Sequence, residues 1–260
     1  MIERRSILVA AVAATTLLGG CATRLSEEGE GLGPSEQEVL GLDDTTSAAA
    51  DEPALIELDE FGRRSYDDGW SAERLIGLDV RGAEGASIGE VDNIVIGPEG
   101  DIRSLIIGVG GFLGIGDTAL KVPWNEVTMS DNASGELRYA AVPIAKGDEE
   151  RYSLFDGSDA ASDGPRTFRA SELIGDYVTL DGTGDYAYVD DIVFDEDGQL
   201  QAVVVSRNSA LGGGYYAYPF YGYDHGFDPG LGVYNLPYGA DDVGGLAPFD
   251  YGTLGGFGTL

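Results

Sequence analysis

Few residues in this chain have the type and spacing for chemistry. His225 is the single histidine and stands beside Asp224. A hydrolase would need a nucleophile against that base and an oxyanion hole, with the G-x-S-x-G elbow as its usual sequence sign. No such elbow occurs, and the glycines, prolines and tyrosines around His225 read as loop. The run Asp195-Glu196-Asp197-Gly198 has the carboxylates of a calcium loop, but Val193 and Val204 occupy the first and last ligand positions, so a hairpin turn is expected. Asp181, Asp185, Asp190 and Asp191 add oxygen ligands without defining a site. The glycines from Gly110 to Gly116 would let backbone N–H groups approach an anion, but both the lysine of a P-loop and the spacing of a dinucleotide fingerprint are missing. These residues imply no catalytic set, no metal and no cofactor.

Composition narrows the partners. The 46 acidic and 15 basic residues give a formal charge of -31, which disfavours nucleic acid across most of the surface. One cysteine, Cys21, excludes an internal disulfide and a thiolate cluster. Its setting suggests another use. Glu3-Arg4-Arg5 leads an apolar run from Ile7 to Leu18, too short to span a bilayer, and Leu18-Gly19-Gly20-Cys21 resembles the bacterial lipobox. That resemblance implies a signal peptide over residues 1–20, cleavage before Cys21, and lipidation of its thiol with stable membrane anchoring. The implied address is the cell envelope. The outer membrane facing the periplasm is favoured, because Ala22 stands where aspartate would resemble an inner-membrane retention signal; the outer face of the cytoplasmic membrane is the alternative.

The rest divides by texture. Residues 21–70 carry fourteen acidic residues up to Gly69 among Ser, Thr, Ala and Gly, the composition of an extended tether, with Ile56, Leu58 and Phe61 available to dock on the first domain. From Ser71 come short apolar runs broken by glycine: strands over Leu78–Arg81, Ile88–Ile96, Ile102–Val109 and Leu120–Pro123, and a pair formed by Val127–Met129 with Leu137–Val142. A mainly β fold built of small barrels follows. The pattern returns 98 residues on, where Leu75-Ile76-Gly77, Val91, Asp92, Ile94 and Gly100 recur as Leu173-Ile174-Gly175, Val189, Asp190, Ile192 and Gly198. Two tandem domains are therefore expected over 71–147 and 167–260, joined by a linker over 148–166. After Arg207 the copies diverge, and Leu236-Pro237-Tyr238 aligns with Val122-Pro123-Trp124, which makes 208–235 an insertion.

The strand IGEVDNIVI, the LIG tripeptide and the segment GVGGFLGIGDTALKVPWNEV resemble the PRC-barrel, a small β-barrel named for the photosynthetic reaction centre H subunit and also found in a ribosome maturation factor. The resemblance implies a binding or assembly module, carries no catalytic residues, and makes Leu75, Ile76, Gly77, Trp124, Leu173, Ile174 and Gly175 core and turn positions. The insertion is the least generic part. Tyr215, Tyr216, Tyr218, Phe220, Tyr221 and Tyr223 would suit contact with a protein partner or a sugar if exposed, or could fold back over the second barrel as a lid. The expected function is a non-enzymatic, lipid-anchored envelope scaffold with an envelope protein as partner. Alternatives are a receptor for a small ligand or peptidoglycan fragment and, more remotely, an envelope hydrolase.

Overall fold

The computed structural model describes residues 55–109, 118–131, 137–145, 153–154, 166–181, 184–225 and 227–254. Cys21, the signal peptide, most of the tether, the Gly110–Gly116 loop and nearly all of the linker lie outside the described residues.

A short helix α1 (Leu58–Phe61), a two-residue strand β1 (Trp70–Ser71) and helix α2 (Ala72–Leu75) precede the first barrel. That barrel comprises β2 (Asp79–Arg81), β3 (Ser87–Ile96), β4 (Ile102–Val109), β5 (Thr118–Pro123), β6 (Thr128–Asp131) and β7 (Leu137–Ala141), followed by a short edge strand β8 (Ser153–Leu154). Its sheet order is β6-β7-β2-β3-β4-β5-β8, with β2 and β7 parallel. The second barrel repeats the plan. After β9 (Phe168–Arg169) come β10 (Tyr177–Leu180), β11 (Asp185–Phe194), β12 (Leu200–Arg207), β13 (Tyr215–Tyr218) and β14 (Val233–Leu236), in the order β13-β12-β11-β10-β14, again with one parallel pair, β10 and β14.

The copies match down to their irregularities. Pairing of β2 with β3 slips at Ile88, and pairing of β10 with β11 slips at Tyr186. Further slips at Asp92 and Arg103 recur at Asp190 and Gln201. Such bulges bend and twist a strand so that a small sheet can curl. At the hairpin tips Gly100 and Gly198 take φ of 86° and 83°, a left-handed conformation that glycine adopts without a steric penalty.

The barrels exchange strands. β1, ahead of the first barrel, pairs with β11 of the second through Trp70↔Phe194 and Ser71↔Val193. β9, ahead of the second barrel, pairs with β3 of the first through Phe168↔Ile96 and Arg169↔Val95. Adding 98 to the first-copy residue of a pair and subtracting 98 from its second-copy partner generates the matching pair, so the copies are related by a pseudo-twofold axis. The hairpin tips obey the same relation: Ile102 N donates to Gly198 O at 2.8 Å and Leu200 N to Gly100 O at 2.9 Å, flanking an Asp101↔Gln199 bridge. One continuous apolar core consequently runs through both barrels, from Leu75, Ile94, Leu105, Ile107 and Leu120 to Leu173, Ile192, Val203 and Val205. Each such side chain, wholly buried, contributes roughly 1.5–3 kcal/mol.

Two expectations change here. Phe61 packs with Tyr66, Val193, Ala202, Val204 and Ala217, so the end of the tether docks on the second barrel and not the first. The cause is an apolar outer face on β11–β13 that the preceding chain and the C-terminal Leu254, Phe249 and Tyr251 cover together. The second correction concerns 208–235, which is not an insertion. Its Tyr215–Tyr218 is β13, paired with β12 as β5 is with β4: Val203 faces Tyr218 as Leu105 faces Val122, and Val205 faces Tyr216 as Ile107 faces Leu120. The true counterpart of Val122-Pro123-Trp124 is Tyr218-Pro219-Phe220. Leu236 instead ends β14, the equivalent of β7.

Candidate functional site on the second barrel

The corrected register separates the six aromatic residues singled out in the sequence. Strand alternation sends Tyr216 and Tyr218 inward, where both are buried. Tyr218 shares a 2.7 Å hydrogen bond with Tyr186, and burial raises its pKa far above that of a free phenol. Phe220, Tyr221 and Tyr223 are half-buried. Phe220 and Tyr223 pack against Phe168 at centroid distances of 5.7 and 6.4 Å, sealing the barrel where β9 crosses to its neighbour. Tyr221 shares a 2.6 Å hydrogen bond with Tyr238 and accepts one from Ile56 N at 2.8 Å. Tyr215 alone of the six is exposed. These residues thus do not form one contact surface; most of them are barrel wall.

Leu75 and Leu173 are buried, Ile76 and Ile174 pack on the core, and Gly77 and Gly175 take positive φ of 87° and 95°. Trp124 lies between the barrels, its Nε1 donating to Asp197 O at 3.1 Å and its ring meeting Trp70 edge-on at 5.6 Å.

Tyr215 belongs to a different group. Following the pairing across the sheet, Tyr215 on β13 neighbours Ser206 on β12, which neighbours Tyr188 on β11, then Tyr177 on β10, then Val233 on β14. Tyr177 and Tyr188 are 48% and 45% exposed and their rings lie 4.7 Å apart; Leu231, at 69%, flanks Val233. An outward row therefore crosses the sheet with tyrosines on β13, β11 and β10, Tyr215 meeting the Tyr251 ring edge-on at 5.5 Å. Tyr177 and Tyr188 escaped sequence reasoning because they lie on different strands and only sheet register joins them. The first barrel has Asp79, Glu90 and Gly108 along the corresponding row, lining an acidic hollow of about 400 Å³.

His225 stacks edge-on against Tyr221 at 4.6 Å, and its buried Nε2 has no partner among the described residues. The Thr179 hydroxyl, which lines the same hollow as His225, donates to Asn235 Oδ1. The 195–198 segment is a hairpin turn: Asp195 Oδ1 accepts from Asp197 N at 3.1 Å and Gln199 N at 2.8 Å. Among the described residues no three His, Cys, Asp or Glu side chains converge as metal ligands.

With both barrels and their shared bulges traced, a family comparison decides the ancestry: the profile of the PRC-barrel domain matches twice, over residues 67–138 and 165–242, more than half of the chain. The chain belongs to the PRC-barrel domain family. The match begins at 67 in one PRC-barrel and at 165 in the other, so each includes the exchanged strand, β1 or β9, as part of its unit. A search of curated proteins found no match. PRC-barrel domains often serve as binding or scaffold modules.

Proposed function

We propose that this PRC-barrel protein is a non-enzymatic scaffold, anchored in the cell envelope by lipid on Cys21, that holds an envelope protein against the outer face of its second barrel. The observation that carries the reading is the exposed row of Tyr177, Tyr188 and Tyr215. Large, rigid amphipathic rings bind with little loss of side-chain entropy, and a contiguous exposed set is uncommon unless something covers it. The rings of Tyr177 and Tyr188 engage each other, which leaves less flat platform for a sugar and favours a protein surface. The partner's contact face is neutral or basic, since a chain of net charge -31 repels another acidic surface.

A photo-crosslinking residue placed at position 188 in cells should yield a discrete protein adduct that disappears in Tyr177→Ser. A crosslink recovered on peptidoglycan fragments instead would replace the protein partner with a glycan, and absence of any adduct would refute the contact face. The anchor is tested separately. Cys21→Ser should leave an unprocessed chain without acyl mass, and an unchanged mass and membrane fraction would refute lipidation.

A further inference from the structure

The aliphatic first barrel and the tyrosine-rich second share a backbone plan, so their differences report on more than folding. At one end of the second barrel is a cavity of about 360 Å³ whose walls include Leu180, Leu211, Ala240, Val243 and Tyr186, with Arg207 among them. Arg207 and Tyr186 correspond to Val109 and Ile88 in the first copy, by the pairings Ala187↔Arg207 and Gly89↔Val109 and by the matching bulges. A barrel of this design therefore closes without a cation.

The guanidinium is held firmly. Nε donates to Tyr186 Oη at 2.8 Å, Nη2 donates to Val243 O at 3.1 Å, and Cζ lies 3.6 Å from the centre of the Tyr216 ring. Tyr186 accepts from Arg207, which leaves its own proton for Tyr218 at 2.7 Å. All these partners are neutral. In a chain with 46 acidic residues, no carboxylate among the described residues pairs with Arg207. A fixed, uncompensated cation against apolar walls is the arrangement that selects an anion with an apolar body.

We infer that this cavity binds a small apolar monocarboxylate, its carboxylate on Arg207 and its hydrocarbon part against Leu180, Leu211 and Val243. One guanidinium neutralises one negative charge, while the strongly acidic molecule penalises a second, which selects a monoanion over a phosphate dianion. The walls set the size of the hydrocarbon part. The site is separate from the outer tyrosine row and does not depend on a protein partner.

Calorimetric titration of the full chain with octanoate and with benzoate tests it, using octanol and phenyl phosphate as the neutral and dianionic comparisons. At least one carboxylate should bind saturably at one site, with both comparisons weaker by about ten-fold or more. Arg207→Met should abolish the preference for carboxylate over alcohol. Should that variant fail to fold, Arg207→Lys, which keeps the charge and loses the planar fork, should still weaken the carboxylate about ten-fold. Leu211, 52% exposed at the rim, can be enlarged without disturbing the core, so Leu211→Trp should block entry with an unchanged melting temperature. Absence of saturable binding, equal binding of octanol and octanoate, or undiminished binding by Leu211→Trp would each overturn the assignment.

Discussion

Asp191 holds on the second barrel the place that Asn93 holds on the first, and each binds the chain that crosses from the other copy. Asn93 Oδ1 accepts from Ser171 N at 3.4 Å and from Ile94 N at 3.0 Å; Asp191 Oδ1 accepts from Glu73 N at 3.0 Å and from Ile192 N at 2.7 Å. On the other side-chain atom the polarity reverses. Asn93 Nδ2 donates to Ser171 Oγ, whereas Asp191 Oδ2 accepts from Ser71 Oγ. The copies thus solve one joint with an amide and with an acid.

The acid gives the joint a pH dependence. Burial pushes the Asp191 carboxyl up to about 6, against the hydrogen bonds from Ser71, Glu73 and Ile192 that favour its charge; the Glu73 carboxylate adds a smaller upward push. Because the folded value lies above the unfolded one, the contribution of Asp191 to stability is full below about pH 4 and is lost as pH rises through 6. Asp191→Asn should therefore match the wild type in acid and exceed it at pH 8 by up to about 3 kcal/mol. Urea unfolding of both proteins at a series of pH values measures the difference, and equal stability at pH 8 would show that the charge is not penalised.

The reciprocal strands make a second expectation. Each barrel lacks an edge partner without the other, because β1 and β9 lie on opposite sides of the exchange. The protein should unfold in a single cooperative transition, and segments 55–145 and 166–254 made separately should be poorly folded alone yet recover native circular dichroism when mixed. Two resolved calorimetric transitions would mean that the barrels are independent.

The inter-barrel tryptophan is the third case. Gly198 takes φ of 83°, and a Cβ there would come within 2.6 Å of Trp124 Nε1. Gly198→Ala thus combines backbone strain with a clash and should cost about 2 kcal/mol or more, whereas Gly77→Ala, strained but in open space, should cost about 1. Thermal denaturation of the two variants checks the order.

Part of this was readable from the chain. The apolar run Ile102–Val109 predicts its strand to the residue, and the duplication is visible because strand apolarity and the glycines at 100 and 198 recur at one spacing. Beyond Arg207 an apolar-Pro-aromatic triplet occurs twice, at 218–220 and 236–238, and composition favours neither as the match to 122–124. The alternation of Tyr216 and Tyr218 in a YYAYPF run was the available signal for a strand. The exchange itself was beyond reach, since two-residue strands have no periodicity, and the outer row required the register of five strands at once.

Two tyrosines of the second barrel put the corrected site to its sharpest test. Tyr218 is wholly buried, bonded to Tyr186 and packed edge-on against its ring at 6.5 Å, so Tyr218→Ser removes an aromatic body from the core and leaves a cavity. A loss of about 3–5 kcal/mol is expected, enough to unfold a domain of ordinary stability. Tyr188 is nearly half exposed on the outer face, so Tyr188→Ser loses the ring contact with Tyr177 without opening a cavity in the core, and about 0.5–1 kcal/mol is the appropriate scale for that contact. Binding should respond in the opposite sense: Tyr188→Ser should lose the partner while keeping the fold, and any loss of binding in Tyr218→Ser should follow its unfolding. Denaturant midpoints with parallel crosslinking distinguish these effects. A stable Tyr218→Ser that still loses the partner would return the contact surface to the 215–223 segment.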